Sequence, residues 1–462
     1  MSEQIKTRRT KNWIQTSITF RMVIIGILIL VLLIPLAFIK ELIRERKSLQ
    51  SQVVSEINAN WGDEILLYGP ILKIPYTTYS ERTMTDSKTK KTQTIREKEI
   101  QYAYFFPDKL TIDGNINTEM KHKGMYTTSV YTTQSKLMGS FGNPDFKVLE
   151  IPDKNIIWGK AQIIMQTTNL KGIKDPLNIN LADKNLSFES KFSNTSKNEG
   201  YYAKNGEYIT TTKHDVVTKS FNYKKISKGK PISFSMDFNV SGSQQFRVIP
   251  IGKETTMHLT SNWKDAGFEG EYLPYNPDKI KDHGFDAHWK VLQMNRPFSQ
   301  QFNYLPKLDE YAFGVNFFIP VDDYQQNERT AKYGYLVIAL TFLLFFLIQT
   351  LSKIYIHPFQ YLMIGLALII FYTLLVSISE HSDFNQAYLI AGGSIIGLIT
   401  LYSKSIMKTW RFPLFIGISL IALYSFIFVI IQLENYALLV GSIGLLLILA
   451  VVMFASRKIE WS

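Results

Sequence analysis

The sequence predicts an integral membrane protein with a six-span α-helical membrane part and a large mainly-β periplasmic domain. One span is N-terminal and five are C-terminal. Three observations lead there. Apolar runs occur once near the start and five times in the last third of the 462-residue chain. A polar stretch of strand-like period lies between them, and the short loops joining the runs alternate between basic and acidic. Runs of about 20 apolar residues cross a hydrocarbon core about 30 Å thick.

The predicted spans are 22–39, 333–351, 359–379, 387–403, 412–433 and 436–455, and none contains Asp, Glu, Lys, Arg or His. Residues 1–21 form a basic tail with Lys6, Arg8, Arg9, Lys11 and Arg21. The first run ends Pro35-Leu36-Ala37-Phe38-Ile39-Lys40, without the small-x-small exit that signal peptidase needs, so it reads as an uncleaved anchor. Residues 40–58 continue as a helical stalk, with Leu42, Leu49, Val53 and Ile57 on one stripe, ending near Asn60-Trp61-Gly62.

Beyond the stalk the period becomes two. Ile232, Phe234, Met236, Phe238 and Val240 alternate with polar residues as a half-buried strand. Met257, Leu259 and Trp263 mark a second strand, and Tyr311, Phe313, Val315, Phe317 and Ile319 a third. Gly69-Pro70 predicts a turn between two short strands, and the charged residues 79–99 predict a projecting hairpin or loop. The domain, 40–332 with its stalk, is expected to be a sandwich or a set of large twisted sheets.

In the C-terminal part, 333–455, Pro358 and Pro413 fall in the first turns of their helices, where a missing N–H costs nothing. Gly393 and Gly397, beside Gly392 and Ser394, predict close helix packing within the bundle, and Gly441 with Gly444 is a weaker version. Lys353, then Lys404, Lys408 and Arg411, and then Arg457 and Lys458 in the tail 456–462 mark cytoplasmic ends. The intervening loops carry Glu380 and Asp383, or Glu434, and no Lys or Arg. Both termini are therefore expected in the cytoplasm. Lys40, Arg44, Arg46 and Lys47 run against the rule, but they open a long translocated segment where it loses force.

The formal charge of +12 divides unevenly, since residues 40–332 hold 40 basic against 34 acidic groups. That mild excess, without Arg-rich runs, argues against nucleic acid as a partner. Cysteine is absent, which excludes disulfides and thiolate chemistry. His283 and His288 beside Asp282 and Asp286 form the densest ligand-like cluster, yet the spacing matches no metal motif and reads as a solvated loop. Glu380, His381 and Asp383 read as a hydrated turn. No nucleophile elbow, Walker loop or dinucleotide fingerprint is present. Gln349, Thr350, Ser377, Ser394 and Ser425 are the candidates for a polar seam through the bundle.

Several runs, in order, carry a resemblance. They are Tyr68-Gly-Pro70 with Ile74-Pro75, Asp113-Gly-Asn115, Leu259-Thr-Ser-Asn-Trp263, Tyr272-Leu-Pro274, Arg329-Thr-Ala-Lys-Tyr333, Ile338-Ala-Leu-Thr-Phe342, His357-Pro-Phe-Gln-Tyr361 and Ser379-Glu-His381. With this topology, the chain resembles the CreD family of bacterial inner-membrane proteins over nearly its whole length; residues 79–99 and 190–230 match poorly. The resemblance implies a contribution to cell-envelope integrity and a link to a two-component envelope or nutrient response. It implies no reaction and carries over no catalytic residue.

The expected protein is thus not an enzyme and has no catalytic, cofactor or metal residues to name. It sits in the lipid bilayer of the inner membrane, and its periplasmic domain binds a protein, peptidoglycan or lipid partner. A transporter or lipid-handling permease is the alternative, and a periplasmic hydrolase the third reading.

Overall fold

The computed structural model describes residues 18–85, 92–191, 199–202, 208–211, 213–317, 323–352, 354–407, 409–433 and 436–457. Most of the basic tail, residues 86–91 of the charged stretch, Ile319, Lys353, Lys408, Glu434 and Lys458 lie outside the described residues. The chain divides into two compact units, Met1–Ser51 with Val321–Ser462, and Gln52–Pro320.

The second unit is built of strands β1 (Ile65–Thr85), β2 (Thr92–Phe105), β3 (Lys109–Lys123), β4 (Tyr126–Phe141), β5 (Gln162–Thr167), β6 (Asn178–Leu181), β7 (Lys184–Lys191), β8 (Glu199–Tyr202) and β9 (Tyr208–Thr211). It continues with β10 (His214–Thr218), β11 (Ile232–Ser243), β12 (Gln245–Val248), β13 (Glu254–Ser261), β14 (Ala266–Gly270), β15 (Ile280–Lys281), β16 (Gly284–Leu292), β17 (Gln301–Phe302) and β18 (Phe313–Phe317). Hydrogen bonds link them in the order β14-β18-β12-β1-β5-β10-β7-β6-β11-β4-β3-β13-β16-β15, with β2 on β1 and β17 on β2, while β8 and β9 pair separately. The sheet folds over on itself around one apolar core. Tyr131 of β4 packs against Phe246 of β12 and Phe317 of β18, and Trp289 of β16 meets Phe313 of β18.

The alternation read in β11 is realised: Ile232, Phe234, Met236, Phe238 and Val240 are all buried. β3 and β13 repeat it, burying Leu110, Ile112, Met257 and Leu259 and turning Asp113 and His258 outward. Residues 79–85 and 92–99 pair as a hairpin, from Tyr79 with Lys98 to Thr85 with Thr92. The expected turn at Gly69-Pro70 is not one. β1 runs through it, and only the ladder to β5 slips, between Tyr68 and Ile71, because Pro70 has no N–H to donate. Gly69 has φ +146° and lies against Met165, where a Cβ would come within 2.8 Å of the side chain.

The helical unit contains most of α1 (Ile18–Trp61), then α2 (Asp323–Lys332), α3 (Gly334–Ser352), α4 (Pro358–Ser379), α5 (Phe384–Ile406), α6 (Arg411–Gln432) and α7 (Ala437–Ser456). All but α2 are long and apolar enough to cross a membrane. α2, placed by sequence at the end of the β domain, belongs to the helical unit. Its Asn327 donates to Ser379 Oγ at 2.7 Å, and Tyr324 OH lies 3.4 Å from Glu380. α4 opens as expected: Pro358 follows His357, whose Nδ1 accepts from Phe359 N–H while Gln360 Oε1 accepts from His357 N–H.

Two expectations for the bundle are corrected. Gly393 and Gly397 face outward, and a Cβ on either meets nothing within 4 Å. The tightest glycines are Gly365, whose Cβ would lie 2.2 Å from Leu32 and 3.0 Å from Phe342, and Gly444, 2.1 Å from Phe426, with Gly334 and Gly417 next at 2.8 Å from Leu36 and Thr400. The polar seam does not form either. Ser377, Ser394 and Ser425 are exposed, Thr350 hydrogen-bonds its own helix at Phe346 O, and only Gln349 is buried, taking the Tyr361 hydroxyl at 2.8 Å.

Candidate functional site

On the outward face of β3, β13 and β16 a row of polar side chains converges. Strand alternation puts Asp286 and His288 on one face of β16, two residues apart. β13 lies between β16 and β3, antiparallel to the first and parallel to the second, and its register sets His258 beside both His288 and Asp113. His258 Nε2 and His288 Nε2 lie 3.0 and 3.1 Å from the same oxygen, Asp286 Oδ1. The two imidazoles stack in parallel with centroids 4.3 Å apart. His258 Nδ1 faces Asp113 Oδ1 at 3.0 Å, and Lys281 Nζ donates to Asp286 Oδ2 at 2.8 Å. That ammonium, and then His258, hold the Asp286 carboxyl below the usual range against the opposing effect of burial.

The sequence named four residues here, and the structure separates them. Asp286 and His288 enter the cluster, whereas Asp282 and His283 are exposed in the β15–β16 turn. His258 was missed because only the β13–β16 register reveals it. Alternation in β13 does place it on the solvent face with Thr256 and Thr260. His258, Asp286 and His288 bring their ligand atoms within 4.8 Å of one another and, among the described residues, form the group that could hold a metal ion.

The irregular segment 272–276 is pinned against β16. Tyr275 N–H donates to His288 O at 2.9 Å, His288 N–H to Asn276 Oδ1 at 3.0 Å, and Asn276 Nδ2 to Asp286 O at 2.7 Å. Trp289 Nε1 donates to Tyr272 O at 3.2 Å. These bonds fix the backbone while Leu273, Tyr275 and Ile280 remain 65%, 69% and 52% exposed. The runs Asp113-Gly-Asn115 and Leu259–Trp263 meet in the β3–β13 ladder. Thr118 N–H donates to Asn262 Oδ1 at 2.8 Å, and Asn262 Nδ2 returns a bond to Thr118 O at 3.0 Å.

The expected hydrated turn at Glu380, His381 and Asp383 is only half right. His381 and Asp383 are exposed, but Glu380 is largely covered, 3.7 Å from Arg46 Nε. Between α3, α6 and α7 lies an apolar cleft of about 540 Å³, walled by Leu344, Leu347, Phe415, Leu423, Leu447 and Val451. Thr341 Oγ1 is buried in its wall without a hydrogen-bond partner among the described residues.

A family model described as "Inner membrane protein CreD" matches residues 17–462. The "Inner membrane protein CreD" of Escherichia coli (strain K12) is 31% identical over 438 residues, spanning 94% of this chain and 91% of that protein.

Proposed function

Because the chain belongs to the CreD family of inner membrane proteins, we propose that it acts without catalysis in cell-envelope integrity or the envelope stress response, its β unit binding an envelope partner from the periplasm. The observation that carries this reading is the segment on β16. Exposed Leu273, Tyr275 and Ile280 stand on a backbone already fixed by hydrogen bonds to β16, so a partner meets them at little ordering cost. A tyrosine held rigidly at a surface is a frequent anchor of an interface. The partner is a periplasmic protein, peptidoglycan or a lipid headgroup region.

The test is complementation of a deletion strain by a Leu273→Ser/Tyr275→Ala double variant of the full chain. Neither side chain contributes to the core, so membrane abundance should match wild type. Resistance to detergent and envelope stress should fall toward that of the deletion strain. Full complementation at normal abundance would remove the segment as a binding surface.

The α3–α6–α7 cleft supports a second reading, a lipid-handling role. Its walls are almost wholly apolar, which suits an acyl chain and disfavours a polar solute. The failure of the five seam residues to converge weighs against a hydrophilic transport path.

A further inference from the structure

We propose that His258, Asp286 and His288 form a binding site for a divalent transition-metal ion of the zinc class, oriented by Asp113. This goes beyond the envelope role and does not depend on the orientation of the chain in the membrane. It also revises the expectation that the histidines lack ligand geometry, which held for spacing along the chain and fails across strands.

The chemistry of the donor set comes first. Two imidazole nitrogens and one carboxylate oxygen suit Zn²⁺ and its neighbours, whereas Ca²⁺ and Mg²⁺ take oxygen ligands throughout. Zinc–ligand bonds of about 2.0–2.2 Å at a tetrahedral angle put neighbouring ligand atoms about 3.3 Å apart. The two Nε2 atoms stand 3.0 and 3.1 Å from Asp286 Oδ1, within a few tenths of that spacing.

The shell around the ligands points the same way. A metal-bound histidine almost always gives its other ring N–H to a carboxylate or carbonyl, which fixes the tautomer and aims the free nitrogen. Asp113 Oδ1, 3.0 Å from His258 Nδ1, occupies that place. A neutral imidazole has one N–H to give. With it committed to Asp113, Nε2 presents a lone pair to the point it shares with His288 and Asp286. In this tautomer a cation at that point accepts the Nε2 lone pair and takes the place of the direct His258–Asp286 contact. Lys281 binds the other oxygen, Asp286 Oδ2, and leaves Oδ1 available. Asp113 and Asp286 against Lys281 leave the site net negative.

Seating the ion requires the stacked rings to fan apart about χ2, because a metal lies in the plane of each imidazole it binds. Both side chains are more than a third exposed, so this motion displaces no core residue. Three protein ligands leave a fourth position for water, the pattern of an open site. The site is on the solvent face, so the core beneath it closes without the metal.

The test uses the full-length protein, purified in detergent with a tag free of histidine, and Zn²⁺ as the probe in calorimetry. The expected result is one equivalent bound by wild type and by His283→Ala. His258→Ala, His288→Ala and Asp286→Asn should lose at least tenfold in affinity. Asp113→Asn should weaken binding about 10–100-fold while retaining the stoichiometry. Co²⁺ in place of Zn²⁺ should give visible d–d bands that vanish in the His258→Ala protein. Circular dichroism and thermal midpoints confirm that each variant is folded. Wild-type binding no tighter than that of a folded His258→Ala/His288→Ala protein would overturn the site, as would a Co²⁺ spectrum unchanged by those substitutions.

Discussion

Lys73 is a lysine with only 7% of its surface exposed, lying on β1 with its ammonium 3.9 Å from the centre of the Tyr102 ring. Burial, reinforced by Lys191 and opposed by Asp215, lowers its pKa from the ordinary lysine value of 10.5. Below the lowered value both folded and unfolded chains hold the proton, and the folded protein bears the full cost of desolvating it. Between that value and 10.5 the unfolded chain binds more protons, so this residue's contribution to stability rises with pH. Lys73→Met keeps the packing of the stem and removes the charge. Its midpoint relative to wild type should therefore decline from pH 7 to pH 10.5, by about 2–4 °C for each kcal/mol of desolvation relieved. A gap that stays constant with pH would show that Lys73 bears no such cost. At this scale the sequence was legible only along one strand. Asp286 and His288 share a face by period alone, but the third ligand comes from β13, and no local pattern encodes a cross-strand register.

Among the elements, alternation in β11 and β13 was readable because each has one face in the core and one in water. Gly69-Pro70 was misread for a definite reason. The pair usually punctuates a turn, and here a slip in one ladder absorbs it within a 21-residue strand. The glycines of the bundle were misread for another. In a bilayer the lipid-facing and partner-facing sides of a helix are both apolar, so a small-residue stripe does not say which side is packed. The structure reverses the expectation. Gly365→Leu drives a branched side chain into Leu32 of α1 and Phe342 of α3, an overpacking that costs about 1–3 kcal/mol. It should lower membrane abundance and heat stability in detergent. Gly393→Leu and Gly397→Leu extend into open space and should accumulate near the wild-type level. Equal loss from Gly365→Leu and Gly393→Leu would contradict this packing and point to an intermolecular contact on α5.

At the scale of the whole molecule, the architecture was legible because long uncharged runs and period-two stretches are strong signals, and the strand order was not because it depends on long-range pairing. Of the four basic residues after the first span, which run against the charge rule, Arg44 lies 3.8 Å from Glu41 on its own helix, and Arg46 and Lys47 meet acids from further along the chain. Arg46 lies 3.7 Å from Glu380 and Lys47 3.9 Å from Glu328, so an acid from the C-terminal half accompanies each at the same end of the helical unit. Paired charges give little net positive potential to hold that end in the cytoplasm, while Lys404 and Arg411 follow from the opposite end of α5 and open α6. The orientation proposed here follows: Glu380 and Asp383 at the periplasmic side, both termini in the cytoplasm, and the β unit, inserted in sequence between the first and second spans, in the periplasm. Reporter fusions after Lys47, Asp383 and Lys458 should read outside, outside and inside. Reversing the acids, as in Glu328→Lys with Glu380→Lys, takes these two carboxylates away from Arg46 and Lys47 and adds two positive charges to the translocated side. That variant should show reduced insertion or a mixed reading at the Asp383 fusion, and moving the charges back by Arg46→Glu and Lys47→Glu should restore it. An inside reading at Asp383 in the wild-type chain would overturn the six-span orientation, and with it the assignment of the β16 segment to a periplasmic partner.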